Sequence, residues 1–388
     1  MASVMFVTGS SSTGGAERHA VALVNRLAER GHRCHAVCVK ETGDLLDRVR
    51  RGTGTVCSLG AARYLDARAV VDFARHLSQV NPSAIVAANG YALMYSWLAR
   101  CLSRSRSPLV VTYHSSRLLG AKERAQMMLY RLFFRRAHCS VFVCQNQRRY
   151  WEGRGLRSRA HEVIYNGVDT EEFRDQWSAE ERRARRLALG FSDGDYVIGL
   201  SALLRPEKNP VQLVDAIAAL RRRAIPARAL IIGDGEMRGA MQSRARALGV
   251  AGDIVIAGLQ RDVRLHVVAC DAMALCSLTE AFSLSAIESM ALGRPVVHSD
   301  VGGAPEMIFP GRNGFLFPPG DTGAFVDKLA VLADREVSVR MGREARATVE
   351  ALFSERTMVD RYERLLLAIC GEGTTVHPEH ADRVNATH

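Results

Sequence analysis

Residues 272–298 read AMALCSLTEAFSLSAIESMALGRPVVH, and three patterns succeed one another within them. Residues 272–275 are a short apolar run of the length of a buried strand. A polar loop follows, and Ser283 then opens residues 283–292, where apolar side chains recur at helical spacing. After Gly293-Arg294-Pro295, residues 295–298 begin a second apolar run. Strand, helix and strand in so short a span make a crossover unit of a parallel sheet.

The same alternation runs outward in both directions. Upstream, strands are predicted at residues 3–8, 34–39, 84–88, 109–112 and 140–144, with helices at 16–30, 68–79 and 122–136. After residue 165 the rhythm breaks into a charged stretch, residues 169–186. It restarts with strands at 196–201, 229–232 and 254–257 and helices at 210–223 and 236–248; further helices follow at 322–333, 337–352 and 355–369. Such a rhythm predicts parallel sheets covered on both faces by helices. Its restart predicts an α/β protein of two doubly wound, Rossmann-like domains facing across a crevice, with ligands at the C-terminal ends of the strands. The expected boundaries are 1–172 for the first domain, 173–192 for a linker, 193–352 for the second, 353–370 for a last helix, and 371–388 for a polar, disordered tail.

Composition narrows the class. The 388 residues are 47% apolar and 24% charged, enough to bury a core and too apolar for a disordered chain. No apolar stretch approaches the roughly 20 residues of a membrane span. Met1 to Phe6 enters a Gly/Ser loop without a basic leader, so a strand rather than a signal peptide is expected. Nine cysteines without a C-x-x-C pair argue against a disulfide framework or structural zinc, and for a cytoplasmic protein with reduced thiols. Charge is divided unevenly: residues 1–170 hold 25 lysines and arginines against 11 acids, residues 171–388 hold 27 against 30. The basic half suggests an anionic partner, such as a lipid headgroup, an acidic glycan or nucleic acid, unless the arginines merely keep the surface solvated. Within residues 122–136, Met127, Tyr130, Arg131 and Phe134 recur at helical spacing. That face belongs either to the core or to an anionic surface.

Two glycine loops and one helix start suggest phosphate chemistry. Gly9 and Gly14 have the spacing of a P-loop, but Gly15 and Ala16 stand where its Lys and Ser/Thr are required, so an NTPase is not expected. What remains is a loop at a helix N-terminus able to approach a phosphate or sugar, or a simple turn. Gly233-Asp234-Gly235, after a predicted strand, is a weaker signal of the same kind. Ser283 as N-cap would turn the N–H groups of Leu284 and Ser285 toward a ligand. Glu280 before that helix and Glu288 within it could each accept two hydroxyl hydrogen bonds from a diol; ordinary surface glutamates are the alternative. Asp193 and Asp195 have the D-x-D spacing of a metal site but precede a strand, and are read as a turn. His298 is read as a core or rim histidine, His377 and His380 as solvated, and His114 as a rim residue ending its strand.

With these motifs in order, the sequence resembles the retaining glycosyltransferases of the GT-B fold, in their fourth sequence family. The likeness runs along nearly the whole chain. Its motifs are Gly14-Gly15-Ala16-Glu17, Thr112-Tyr113-His114, Asn166-Gly167-Val168-Asp169, Arg205-Pro206-Glu207-Lys208-Asn209, Gly233-Asp234-Gly235-Glu236 and Gly258-Leu259-Gln260-Arg261-Asp262-Val263. They continue with the E-x7-E pair Glu280/Glu288, Gly302-Gly303-Ala304-Pro305-Glu306 and Asn313-Gly314-Phe315.

The resemblance implies a metal-independent, retaining transfer of a sugar from a nucleoside-diphosphate sugar, UDP favoured, to a hydroxyl of a glycan or lipid-linked acceptor in cell-envelope polysaccharide synthesis. It implies Glu280, His114, Lys208 and Arg205 as catalytic residues. Gly14, Gly15, Gly233, Arg261, Phe282, Ser283, Leu284, Ser285 and Glu288 are implied as donor-binding. No metal or resident cofactor is expected. The first domain would receive the acceptor, the second the donor, and the last helix would cross back onto the first. The implied partners are the nucleotide sugar and an anionic or lipid-linked glycan, with peripheral contact to an anionic membrane at the inner face of the plasma membrane, and no nucleic acid. Leu203 stands where the family often has Arg, and Ala281-Phe282-Ser283 where it is commonly Gly-rich. An epimerase or phosphorylase on the same fold, or a non-catalytic nucleotide-sugar-binding subunit, are the alternatives.

Overall fold

A computed structural model describes residues 1–9, 15–40, 49, 54–114 and 120–371. The chain divides into two units, residues 1–166 together with the chain from 358 onward, and residues 167–357.

The first unit begins β1 (Ser3–Thr8), α1 (Gly15–Glu29), β2 (Arg33–Cys38), β3 (Val56–Ser58), α2 (Ala67–Val80), β4 (Ala84–Ala88) and α3 (Asn89–Ser103). It continues β5 (Leu109–Tyr113), α4 (Ala121–Phe134), β6 (Cys139–Phe142), α5 (Gln145–Glu152) and β7 (Ala160–Val163). Its strands form one sheet in the order β3-β2-β1-β4-β5-β6-β7, every pair parallel. Alternation along β1 shows why it is covered twice. Met5 and Val7 pack with Phe73 and Leu77 of α2 and Leu93 of α3. Val4 and Phe6 pack on the other face with Leu23 and Leu27 of α1.

The second unit holds α6 (Ala179–Ala188), β8 (Tyr196–Ser201), α7 (Val211–Arg222), β9 (Ala227–Ile232), α8 (Arg238–Ala247), β10 (Ile254–Gly258), α9 (Arg264–Val268) and β11 (Ala272–Leu275). It ends with α10 (Leu284–Ala291), β12 (Val296–Ser299), α11 (Ala304–Met307), β13 (Gly314–Phe317), α12 (Thr322–Val331) and α13 (Arg335–Leu352). Six parallel strands run in the order β10-β9-β8-β11-β12-β13. Helix α14 (Glu355–Cys370) follows. Its Tyr362, Leu365 and Leu366 are buried with Phe6, Val86 and Val110 of the first unit. Arg30, after α1, pairs with Asp360 and Glu363, each at 2.6 Å.

The two doubly wound sheets agree with the architecture expected from the sequence. The stretch expected as a linker, residues 173–192, is corrected. It contains α6, opened by a capping box between Ser178 and Glu181. Arg186 of α6 reaches both carboxylate oxygens of Asp271 at 3.1 Å. No residue of α6 is buried, so its anchorage is polar and carries no apolar signature. The tail beyond Gly371, with His377 and His380, lies outside the described residues. Among the described residues no helix is long and apolar enough to cross a membrane.

Candidate active site

In the second unit, the loops leaving the C-terminal ends of neighbouring strands are joined to one another through the main chain. After β8, Ala202 N–H donates to Ile232 (3.2 Å) and Leu204 N–H to Asp234 (3.0 Å), while Met237 N–H donates back to Leu204 (2.9 Å). Gly233 permits this approach: its φ is +154°, and a Cβ there would lie 1.9 Å from the Ala202 carbonyl oxygen. The loop after β11 is tied to the loop after β8 by Leu278 N–H on the Glu207 carbonyl (2.8 Å), and to the loop after β12 by Gly303 N–H on the Ala281 carbonyl (2.8 Å).

This scaffold presents Lys208 and Glu280. Pro206 starts a single 3-10 turn, Pro206–Lys208, which Asn209 ends in the left-handed region at φ 47°. The turn delivers Lys208, whose Nζ donates to Glu280 Oε2. Ser277 Oγ donates to the same carboxylate oxygen at 3.3 Å, and Ser299 Oγ holds the Ser277 carbonyl at 2.6 Å. Lysine and carboxylate are therefore oriented before any ligand arrives, largely shielded from water and neutralising each other.

Glu280 leads directly into α10. Ser283 is the N-cap, accepting from Ala286 N–H at 3.3 Å, and its hydroxyl meets that of Ser285 at 3.2 Å. The first turn leaves the N–H groups of Leu284 and Ser285 without intrahelical acceptors and carries the positive end of the dipole. Phe282 is buried edge-on against Phe353, centroids 5.4 Å apart, so its ring anchors the loop. Glu288 lies half-buried in α10.

Other sequence candidates stand apart from this cluster. Arg205 is more exposed and faces Glu207 at 3.9 Å; Arg261 is exposed after β10. His298 is fully buried in β12, its Nδ1 on the Ser299 carbonyl at 2.7 Å. Burial pushes its pKa down, with Glu280 opposing the shift. Asp195 accepts from Ser192 N–H at 2.7 Å and pairs with Arg228 at 3.3 Å, while Asp193 pairs with Arg183 at 2.7 Å. The D-x-D pair is thus a turn bound to arginines.

In the first unit, His114 directly follows β5, and its N–H donates to Asn89 Oδ1 at 3.0 Å. Its ring lies 4.8 Å from that of His19 in α1, which lies 5.5 Å from Tyr362 in α14. Burial pushes the His114 imidazole down to about 4. His19 is held well below its ordinary value by burial and then by His114. Gly15 is the first residue of α1, and since β1, β4 and β5 are adjacent and parallel, Gly15 and His114 share the C-terminal edge of this sheet. Gly14 lies outside the described residues.

Sequence reasoning missed Ser277, Ser299 and His19. A serine two residues past a strand has no distinguishing spacing; His19, one turn beyond Gly15, carried a signal in its place on the helix.

Two parallel Rossmann-like sheets, each with its candidate residues at the C-terminal strand ends, define a GT-B architecture. Residues 181–348 match the family described as Glycosyl transferases group 1, and residues 13–172 match Glycosyltransferase Family 4. The chain is therefore built of two glycosyltransferase-family domains. It is 34% identical over 195 residues to the D-inositol 3-phosphate glycosyltransferase of Nocardia farcinica, covering 47% of this chain and 42% of that one. It is 28% identical over 207 residues to the N-acetyl-alpha-D-glucosaminyl L-malate synthase of Bacillus anthracis, covering 53% and 52%. The matches span about half the length of these curated relatives. Its fold is that of HepE from Anabaena, solved in complex with UDP and glucose: TM-score 0.83, 22% identity, covering 95% of this chain and all of that one.

Proposed function

We propose that the protein is a retaining glycosyltransferase. It moves a sugar from a nucleoside-diphosphate sugar to a hydroxyl of a glycan or lipid-linked acceptor in cell-envelope polysaccharide synthesis, without a metal ion. The observation that carries this reading is the Lys208–Glu280 pair, held by interlocked loops at the start of α10.

The chemical difficulty is the negative charge that grows on the departing diphosphate. Lys208 and the N-terminus of α10 at Ser283, Leu284 and Ser285 would stabilise it from a fixed frame, which costs no reorganisation during the reaction. Arg205 would add charge by swinging from Glu207, and the backbone at Gly233 would allow close approach; in the first unit, Gly15 opens a helix whose start could meet a phosphate or sugar. As Lys208 turns to phosphate, Glu280 is freed to accept hydroxyls of the donor sugar. Glu288 would grip the ribose, and Phe282 and Arg261 would border the nucleotide. In the first unit, His114 stays neutral and can orient a hydroxyl. The resemblance adds front-face attack, with the leaving phosphate taking the acceptor proton.

The first unit, with its positive excess, would receive an anionic or lipid-linked acceptor in the cytoplasm, at the inner face of the plasma membrane. UDP, the nucleotide bound to HepE, is the donor base to test first. A thermal-shift panel of UDP, GDP and ADP sugars should show stabilisation by one of them. Proton NMR of the product should then show the anomeric configuration of the donor retained. No stabilisation by any of the sugars, or an inverted product, would overturn the reading.

A further inference from the structure

In the first unit, β2, β1, β4 and β5 are parallel neighbours, so the turns that follow them leave from one edge of the sheet. Asn89, directly after β4, is held in the left-handed region at φ 70°, a conformation that a residue other than glycine seldom keeps without a use. Its Oδ1 accepts the His114 N–H. At Gly90 a Cβ would lie 2.4 Å from the Tyr130 ring of α4. Tyr91 in turn rests on Gly9, at the end of β1, where a Cβ would lie 3.0 Å from Tyr91 Cδ1. The turn Asn89-Gly90-Tyr91 thus joins the loops after β1 and β5 to α4, and sets the Tyr91 ring on the edge that carries His114.

Two further loops complete a small aromatic shelf. Tyr64, in the loop after β3, has its ring centroid 5.2 Å from that of Tyr91, and its hydroxyl meets that of Tyr130 at 2.6 Å. Tyr64 remains 40% exposed. Lys40, just past β2, holds its Nζ 5.6 Å from the Tyr91 centroid. Its main chain is fixed from both sides: the N–H donates to the Gly9 carbonyl at 3.3 Å, and the carbonyl accepts from Ser58 Oγ at 2.7 Å. Lys40 is exposed, and its ammonium has a ring for a partner but no carboxylate among the described residues.

We propose that this shelf receives a sugar ring of the acceptor that carries an acidic substituent, a carboxylate or a phosphate. The C–H face of a pyranose suits the face of an aromatic ring, and the paired phenols of Tyr64 and Tyr130 offer hydrogen bonds to its hydroxyls. Lys40 supplies a point charge for the acid. A neutral sugar would leave that charge unanswered, and a lipid chain would leave the phenols so. The inference rests on the reading of the protein as a glycosyltransferase whose first unit takes the acceptor. It narrows that acceptor to one whose acid lies on the ring bound beside His114.

The test is a saturation-transfer NMR titration of the full chain, with and without UDP, using methyl glucoside, methyl glucuronide and glucose 6-phosphate as probes. At least one acidic ring is expected to bind about fivefold or more tightly than methyl glucoside, and the tighter of the two identifies the anion. Lys40→Gln should abolish that preference while leaving methyl glucoside unchanged, and Tyr64→Ala should weaken all three. Calorimetric titration with UDP should be unchanged in both variants, which reports an intact fold. Equal binding of the three rings, a preference for acid that survives Lys40→Gln, or undiminished binding in Tyr64→Ala overturns the proposal. Binding of UDP with none of the rings bound also overturns it, and leaves the nucleotide-sugar reading standing. Acidic rings that bind through Lys40 where UDP fails to bind uphold the shelf and remove the nucleotide-sugar reading alone.

Discussion

Gly302 lies so close beneath Glu280 that a Cβ at position 302 would sit 2.0 Å from the Glu280 carbonyl oxygen. The φ of Gly302 is +56°, so any other residue there is strained as well as crowded. Gly302→Ala is therefore expected to displace the loop carrying Glu280. It should cost about 1–3 kcal/mol of stability and a still larger share of transfer activity. Thermal unfolding beside initial rates checks this; unaltered rates in a stable variant would mean that the loop position does not govern the chemistry.

Lys208→Ala removes one fixed positive charge from the proposed diphosphate site. Turnover should fall about a hundredfold or more, as is usual for loss of one electrostatic contact to the transition state. Because Glu280 loses its partner at the same time, Lys208→Ala/Glu280→Gln should lose less than the product of the two single effects. Near-native turnover in Lys208→Ala would remove the phosphate role.

On the proposed reading, Lys208, Arg205 and the start of α10 would take the part that a divalent ion plays in other enzymes. Transfer should persist in EDTA. Activity that collapses and returns with Mg²⁺ or Mn²⁺ would require a metal site that the arginine-bound Asp193 and Asp195 do not suggest.

His114 gives a dependence on acid with a definite sign. Its folded pKa is depressed to about 4 from 6.5, so the unfolded chain takes up this proton first as pH falls. Its contribution to stability is complete above about 6.5 and is lost progressively toward pH 4. His19 acts in the same direction. Melting temperature should drop less between pH 6.5 and 4 in His114→Gln than in the parent protein. Parallel curves would show that His114 is not held neutral.

How much of this could be read in the sequence varied with the physics of each element. The crossover unit around Ser283 was legible because its helix keeps apolar periodicity and its cap is a serine; Ser283 does cap α10. Helix α3 was not anticipated. Gly90, Ala92, Leu93, Met94, Tyr95, Ser96 and Ala99 are all buried, and a helix covered on most sides shows little periodicity. Helix α6 was passed over for the opposite reason, since arginines and a capping box hold it rather than apolar contacts. At the candidate site, residue types on strand ends and helix starts were visible. The joining of Lys208 to Glu280 was not, because it depends on β8 and β11 being neighbours in the sheet.

Helix α14 sets the order in which the molecule can be completed. Tyr362, Leu365 and Leu366 finish a core whose other walls include α1, β1, β4 and β5, yet they are among the last described residues to leave the ribosome. The second unit, contiguous from residue 167 to 357, has all its strands available earlier. During synthesis, the unit encoded first is thus the one that closes last. Until then its sheet waits with one face incompletely covered, and nascent chains arrested before residue 358 should recruit chaperones that finished chains no longer need.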